Sequence, residues 1–250
     1  MGNPKKTSLI IAAGLVIVLL FASFGGGFEY EDHDTRDIDR EALFATTQSL
    51  LEESEAWPVE LSDGTVEVKS SLEPYPVRTV RYEIKELDAT LDEAIAYIRD
   101  HTYGGVERRV TSDKYEDTLW QPDDTVGHPT QWVRRSVHIS PPPGGNRDAV
   151  VLYVESRPDP KTYLIGFQSV ETIEGNEFVE EDAVRFKVMP SLYKVEELPS
   201  GKIRVRKIET VDPRGALSPL LNNLIISKVF FRNYMFEQAK EMRDTFEGKG

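Results

Sequence analysis

Cysteine is absent from the 250 residues, which excludes disulfide scaffolds, thiolate metal sites and cysteine nucleophiles. Basic charge is in the minority: 30 Lys and Arg stand against 43 Asp and Glu, a net charge of −13. So acidic a chain repels phosphate at long range, so nucleic acid is not an expected partner. Anionic membrane surfaces offer it nothing unless a local basic patch exists. The four histidines, His33, His101, His128 and His138, lack metal-ligand spacing. Neither a P-loop nor a G-x-S-x-G motif occurs. Gly25-Gly26-Gly27 follows an apolar run rather than a strand, so it is no phosphate cradle. Glu116 and Asp117 are neighbours on an expected loop, which gives no reason to read an acid/base pair. No catalytic residue, metal or cofactor is therefore expected.

Long hydrophobic runs are also missing, with one exception. Ser8 to Phe24 carries no charge over 17 positions, or about 26 Å as a helix, and Gly25 to Phe28 extend it to bilayer thickness. Lys5 and Lys6 precede the run, whereas Glu29, Glu31, Asp32 and Asp34 follow it. The positive-inside rule then puts residues 1–7 in the cytoplasm, an anchor at 8–28 and the rest outside, on the extracytoplasmic side of a single-pass membrane protein, periplasmic if the cell is bacterial. A cleaved secretory signal is the competing reading, although Phe24 spoils the small-x-small site at Ala22-Ser23-Phe24. Residues 29–36 read as a linker.

From Asp37 the pattern is helical. Ile38, Leu43, Phe44, Thr47, Leu50 and Leu51 form a stripe, Asp37 is the expected N-cap, and Trp57-Pro58 ends the helix. Glu29 to Glu60 holds eleven acids and two bases, read as a solvated face. Asp63-Gly64 marks a hairpin turn. Val80, Tyr82 and Ile84 alternate with polar neighbours, as on a half-buried strand. Thr90-Leu91-Asp92-Glu93 is a capping box opening a short helix that Gly104-Gly105 stops. Strand-like runs follow at about 106–111, 131–140, 149–156, 163–171, 183–195 and 202–211. Short turns link several of them, so an antiparallel, meandering sheet is expected. Met189-Pro190 within one run points to an edge or bulge. Leu217 to Met242 is a long helix with a broad apolar face, which can fold across the sheet and enclose a space.

Several local motifs fit one family. Arg147-Asp148-Ala149-Val150-Val151, Gln168-Ser169-Val170-Glu171, Val184-Arg185, and Asp212-Pro213-Arg214-Gly215 followed by Leu217 and Asn223 resemble, in order and spacing, the START lipid-binding domain. The resemblance covers about residues 37–242. It implies an α+β helix-grip fold over 37–250, a curved antiparallel sheet with a long C-terminal lid helix, preceded here by the N-terminal transmembrane helix. It also implies binding or transfer of one lipid (a phospholipid, fatty acid or sterol-like molecule) without covalent chemistry. The buried acid–arginine pair of some sterol-carrying members would fall near Arg134 and Tyr153, where the charge pattern differs.

Candidate ligand-binding residues follow. Val133, Val137, Val151, Tyr153, Ile165 and Phe167 alternate on strands and either line a cavity or pack the core. Phe231, Tyr234 and Met235 stand on the lid helix. Arg134 and Arg185 interrupt apolar strands and can hold a polar head group or make cross-strand ion pairs. Lys202, Arg204, Arg206 and Lys207 form a basic strand, read as a solvated, edge-protecting face, with contact to anionic head groups as the alternative. Other functions considered are a cyclase- or aromatase-like helix-grip enzyme working through Arg134, His138 or Tyr153, and an interaction module with a filled interior and a protein partner of unknown kind.

Overall fold

Three α-helices are seen among the described residues. The computed structural model describes residues 31–75, 77–102, 109–110, 114–121, 130–138, 146–177, 183–212, 214 and 224–248, with the backbone alone at 109–110, 114–118, 137–138, 146–147, 177, 224–228 and 230. The apolar run at 8–28 lies outside them, and no described helix is long and apolar enough to cross a membrane. Helix α1 (Arg40–Glu53) is capped by Asp39, whose carboxylate accepts from the amides of Glu41 and Ala42 at 2.9 and 3.1 Å. The cap is not Asp37, because the Asp37 amide closes a preceding turn onto the Asp34 carbonyl. Helix α2 (Leu91–Thr102) opens with the expected capping box: the Thr90 amide donates to Glu93 at 2.8 Å, and the Glu93 amide returns to the Thr90 hydroxyl at 3.3 Å. Helix α3 (Leu224–Phe246) is the long C-terminal helix. Residues 215–223, which carry the start expected for it and part of the lid motif, are outside the described residues.

Fourteen strands are seen among the described residues: β1 (Val59–Ser62), β2 (Val66–Ser71), β3 (Thr79–Leu87), β4 (Arg109–Val110), β5 (Lys114–Trp120), β6 (Gln131–His138), β7 (Asn146–Asp159), β8 (Thr162–Ser169), β9 (Thr172–Ile173), β10 (Asn176–Glu177), β11 (Ala183–Arg185), β12 (Lys187–Val188), β13 (Ser191–Glu197) and β14 (Ile203–Asp212). The main sheet runs β1-β2-β3-β14-β13-β8-β7-β6-β5-β4. The meander expected from short links holds from β4 to β8. It fails at β3, which pairs with the last strand, β14, rather than with its successor. That long-range pairing makes β14 an interior strand, so the basic run on it is no edge guard. Glu116 and Asp117, expected on a loop, lie in β5. The run expected at 183–195 divides into β11, which pairs parallel with β7, then β12 on β14 and β13, with the break at Met189-Pro190.

The register sorts the side chains onto two faces, since residues directly opposite each other share a face. On one face Leu43, Leu50 and Leu51 of α1 cover Val133, Val150, Leu152, Val154, Leu164, Leu192 and Ile208. Gly166 lets α1 approach: a Cβ there would stand 3.1 Å from Leu43 and Phe44. The other face carries the main core, in which Val66, Tyr82, Ile84, Trp132, Val151, Ile165, Phe167, Tyr193 and Val205 meet Ile95 and Ile98 of α2 and Met235, Ala239 and Met242 of α3. Helix α3 packs over β1, β2 and β3.

Residues 31–37, just after the expected anchor, dock on this body. Asp34 bridges to Thr172 of β9. Its carboxylate accepts from the Thr172 hydroxyl, the Gly175 amide at 2.7 Å and the Arg36 amide and guanidinium. The Thr172 bond, then those from Arg36, hold the Asp34 carboxyl well below the usual carboxylate range. Lys187 donates to the Glu31 carbonyl at 2.9 Å and pairs with Glu171 at 2.9 Å.

Candidate functional site

A row of aromatic rings crosses the α3 face of the sheet. Trp132 on β6 stacks on Tyr153 of β7 at 5.4 Å and 7°, Tyr153 on Phe167 of β8 at 5.4 Å and 22°, and Phe167 meets Tyr193 of β13 at 5.6 Å. Register builds the row: Trp132 is opposite Tyr153, and Tyr153 opposite Phe167. At its end lies Lys207 of β14, opposite both Tyr193 and Tyr82. The ammonium sits 4.9 Å from the Tyr193 ring centre and 5.7 Å from that of Phe167.

Lys207 is 4% exposed. Such a buried cation needs partners. It pairs with Glu209 at 2.9 Å and donates to Gln238 Oε1 of α3 at 3.0 Å. Burial pulls its pKa down, but Glu209 and the surrounding phenols outweigh burial, so it stands above the ordinary lysine range and stays charged. Gln238 Nε2 in turn donates to the Tyr234 hydroxyl at 3.3 Å. The helix is thus latched to the sheet by a polar chain running from exposed Tyr234 to buried Lys207.

Beside this latch a pocket of about 290 Å³ opens between α2, α3 and the sheet. Tyr82 and Tyr193 form its inner wall, Tyr97, His101 and Tyr234 its flanks, and Glu237 and Glu241 its rim. Burial pushes the Tyr82 and Tyr193 hydroxyls well above the ordinary phenol range. Helix α2, which supplies one wall, is pinned by Arg99: its guanidinium donates twice to Glu155 of β7, at 2.8 and 2.7 Å, and lies over the Tyr163 ring. The Glu155 bonds raise the Arg99 pKa above its ordinary range. The far end of α2 is held by Trp132 Nε1, which donates to the Thr102 carbonyl at 3.0 Å, and by Arg134, which donates to the His101 carbonyl.

The sequence-derived candidates divide by face. Val151, Tyr153, Ile165 and Phe167 share the α3 face, where Phe231 and Met235 also pack. Tyr234 is 50% exposed at the pocket rim. Arg134 lies opposite Val151 on this face and binds α2. Val133 does not join them. Its partner across the ladder is Leu152, and alternation turns both toward α1. Arg185 is also elsewhere: it pairs with buried Asp148 at 2.9 Å and approaches Glu171 at 3.7 Å, away from the pocket. The side chains of Val137 and His138 are outside the described ones. Lys207 and Arg206, expected to be solvated, are both buried. Sequence reasoning missed Tyr82, Tyr193, Lys207, Glu209 and Gln238 as one group. The available signal was Lys207 interrupting the apolar alternation Ile203, Val205, Val211. Where an acid–arginine pair was sought near Arg134 and Tyr153, the α3 face instead carries Arg99–Glu155 and Lys207–Glu209. Among the described residues no group of His, Asp and Glu could hold a metal ion.

No known family's sequence pattern matches the chain, and no curated protein matches it. Solved structures do. The chain is similar to human StAR-related lipid transfer protein 5, with 17% identity over 83% of this chain and 94% of that one and a TM-score of 0.64. It is similar to the human StarD13 lipid transfer and protein localization domain, with 20% identity over 84% and 98% and a TM-score of 0.56. A STAR-related lipid transfer protein fragment from Xanthomonas axonopodis matches at 15% identity over 76% and 98%, with a TM-score of 0.52. The chain has the START-like helix-grip fold. Three of the described motif residues make bonds inside the fold. Asp148 and Arg185, from two separate motifs, form one ion pair, and the Ser169 hydroxyl accepts from the Val188 amide at 2.8 Å.

Proposed function

We propose that this helix grip binds one hydrophobic ligand beneath α3 and moves lipid to or from a membrane in which residues 8–28 anchor it, with the domain on the extracytoplasmic, periplasmic side. The reading is carried by one observation. The C-terminal helix lies over an aromatic sheet face and leaves a pocket of about 290 Å³ under it, at the small end of ligand-sized sites. The lipid-transfer titles of the similar structures support the same class. Each methylene taken from water contributes about 0.8 kcal/mol, so an aromatic interior competes with a bilayer for an alkyl chain. Docking of residues 31–37 on β9 and Lys187 supports a short tether that keeps the pocket near its membrane and so raises its local concentration there. Exit requires α3 to move, so its latch to Lys207 belongs to the mechanism. No covalent step is assigned.

The test is a transfer assay. Full-length protein in donor vesicles should speed passage of fluorescent single- or double-chain lipid to acceptor vesicles. No acceleration with any lipid, together with a mature mass lacking residues 1–24, would refute the tethered carrier and favour an exported interaction module.

A further inference from the structure

The inner wall of the pocket holds two donors without a protein partner. Tyr82 and Tyr193 are 2% and 8% exposed, both line the pocket, and among the described residues neither hydroxyl has a hydrogen-bond partner. The buried side-chain atoms without a partner among the described residues are all arginine Nε atoms, so both phenol oxygens are open to the pocket. These two flank Lys207 across the ladder. An ammonium has only donors, and this one is already bonded to Glu209 and Gln238. Both phenols can donate to an acceptor that enters the pocket.

The surrounding charge decides what kind. Glu237 and Glu241 stand at the rim and Glu209 beyond the inner wall, while the nearby cation, Lys207, is neutralised by Glu209. A carboxylate or phosphate entering here meets three carboxylates against one compensated ammonium. A cationic group would find the face of the Tyr193 ring already taken by Lys207 at 4.9 Å. An uncharged oxygen meets neither penalty. Burial keeps both phenols protonated, hence able to donate.

We propose that Tyr82 and Tyr193 form a donor subsite for the uncharged oxygen, hydroxyl or carbonyl, of a neutral lipid whose apolar body lies against Tyr97, Ile98 and Met242 between α2 and α3. The subsite rests on the lipid-binding reading and names the ligand class for it: fatty alcohols, sterols and acylglycerols rather than fatty-acid anions or phospholipid head groups.

Three probes with one chain length separate the outcomes. Full-length protein in phosphatidylcholine nanodiscs is equilibrated with radiolabelled oleyl alcohol, oleate or octadecene, and binding to empty nanodiscs is subtracted. Oleyl alcohol should bind about tenfold tighter than the other two, and the Tyr82→Phe/Tyr193→Phe protein should bind oleyl alcohol no tighter than octadecene. The melting temperature of the ligand-free double variant should hold, because neither hydroxyl bonds a protein group; a fall would assign the phenols a structural bond and overturn the subsite. Tightest binding of oleate, or an alcohol affinity indifferent to the double substitution while octadecene still binds, would also overturn the subsite and leave the lipid-binding reading standing. Absence of binding by all three probes would remove both.

Discussion

The bidentate pair between Arg99 and Glu155 tests how the pocket wall is held. The Glu155 side chain is 3% exposed and that of Arg99 33%, with bonds of 2.8 and 2.7 Å. At an effective dielectric near 20, charges about 3 Å apart attract by about 5–6 kcal/mol, which desolvation of the carboxylate largely offsets. Intact, the pair contributes little net stability. Broken from the arginine side, it strands a buried charge. Arg99→Met is therefore expected to cost about 3–5 kcal/mol, a drop in melting temperature of roughly 6–20 °C for a domain of this size. Glu155→Gln removes the charge and keeps a hydrogen-bonding shape. Combined with Arg99→Met it should recover at least about half the loss, a coupling of about 2 kcal/mol in the double-mutant cycle. Urea denaturation of the four proteins, followed by circular dichroism, gives the numbers. An Arg99→Met cost below about 1 kcal/mol, in the range of exposed pairs, would refute the claim that this bridge is desolvated and pins α2.

Gln238→Leu cuts the latch bond to Lys207 and should cost about 1.5–3 kcal/mol, as for a hydrogen bond to a charged group. Hydrogen exchange in α3 should quicken with it, and unchanged protection would refute the latch. Met235→Ala empties a site 2% exposed beneath α3 and should cost about 2–5 kcal/mol in chemical denaturation. The Asp34 carboxyl sits below its unfolded value, so its contribution is present above about pH 4 and is lost as pH falls through the depressed folded value. Limited proteolysis ahead of residue 34 should therefore increase on acidification in the wild type, and Asp34→Asn should abolish that pH dependence.

Local signals in the sequence determined the parts. The capping box at Thr90–Glu93, the Asp63-Gly64 turn, the alternation of Val80, Tyr82 and Ile84, and the stripe on α3 depend on neighbours within a few residues, where side-chain chemistry acts directly on the backbone. Motif order pointed to the helix grip as a whole, and two of those motifs meet in space as the Asp148–Arg185 ion pair. Tertiary structure alone decided which face each strand residue serves. A one-residue difference in register turns a side chain to the opposite side, which is why Val133 lies under α1 while Arg134 points toward α2. It also decided that β14 is interior, since β3, more than a hundred residues earlier, closes on it. That single long-range pairing buries Lys207 between Tyr82 and Tyr193 and makes a pocket from residues that no local pattern connects.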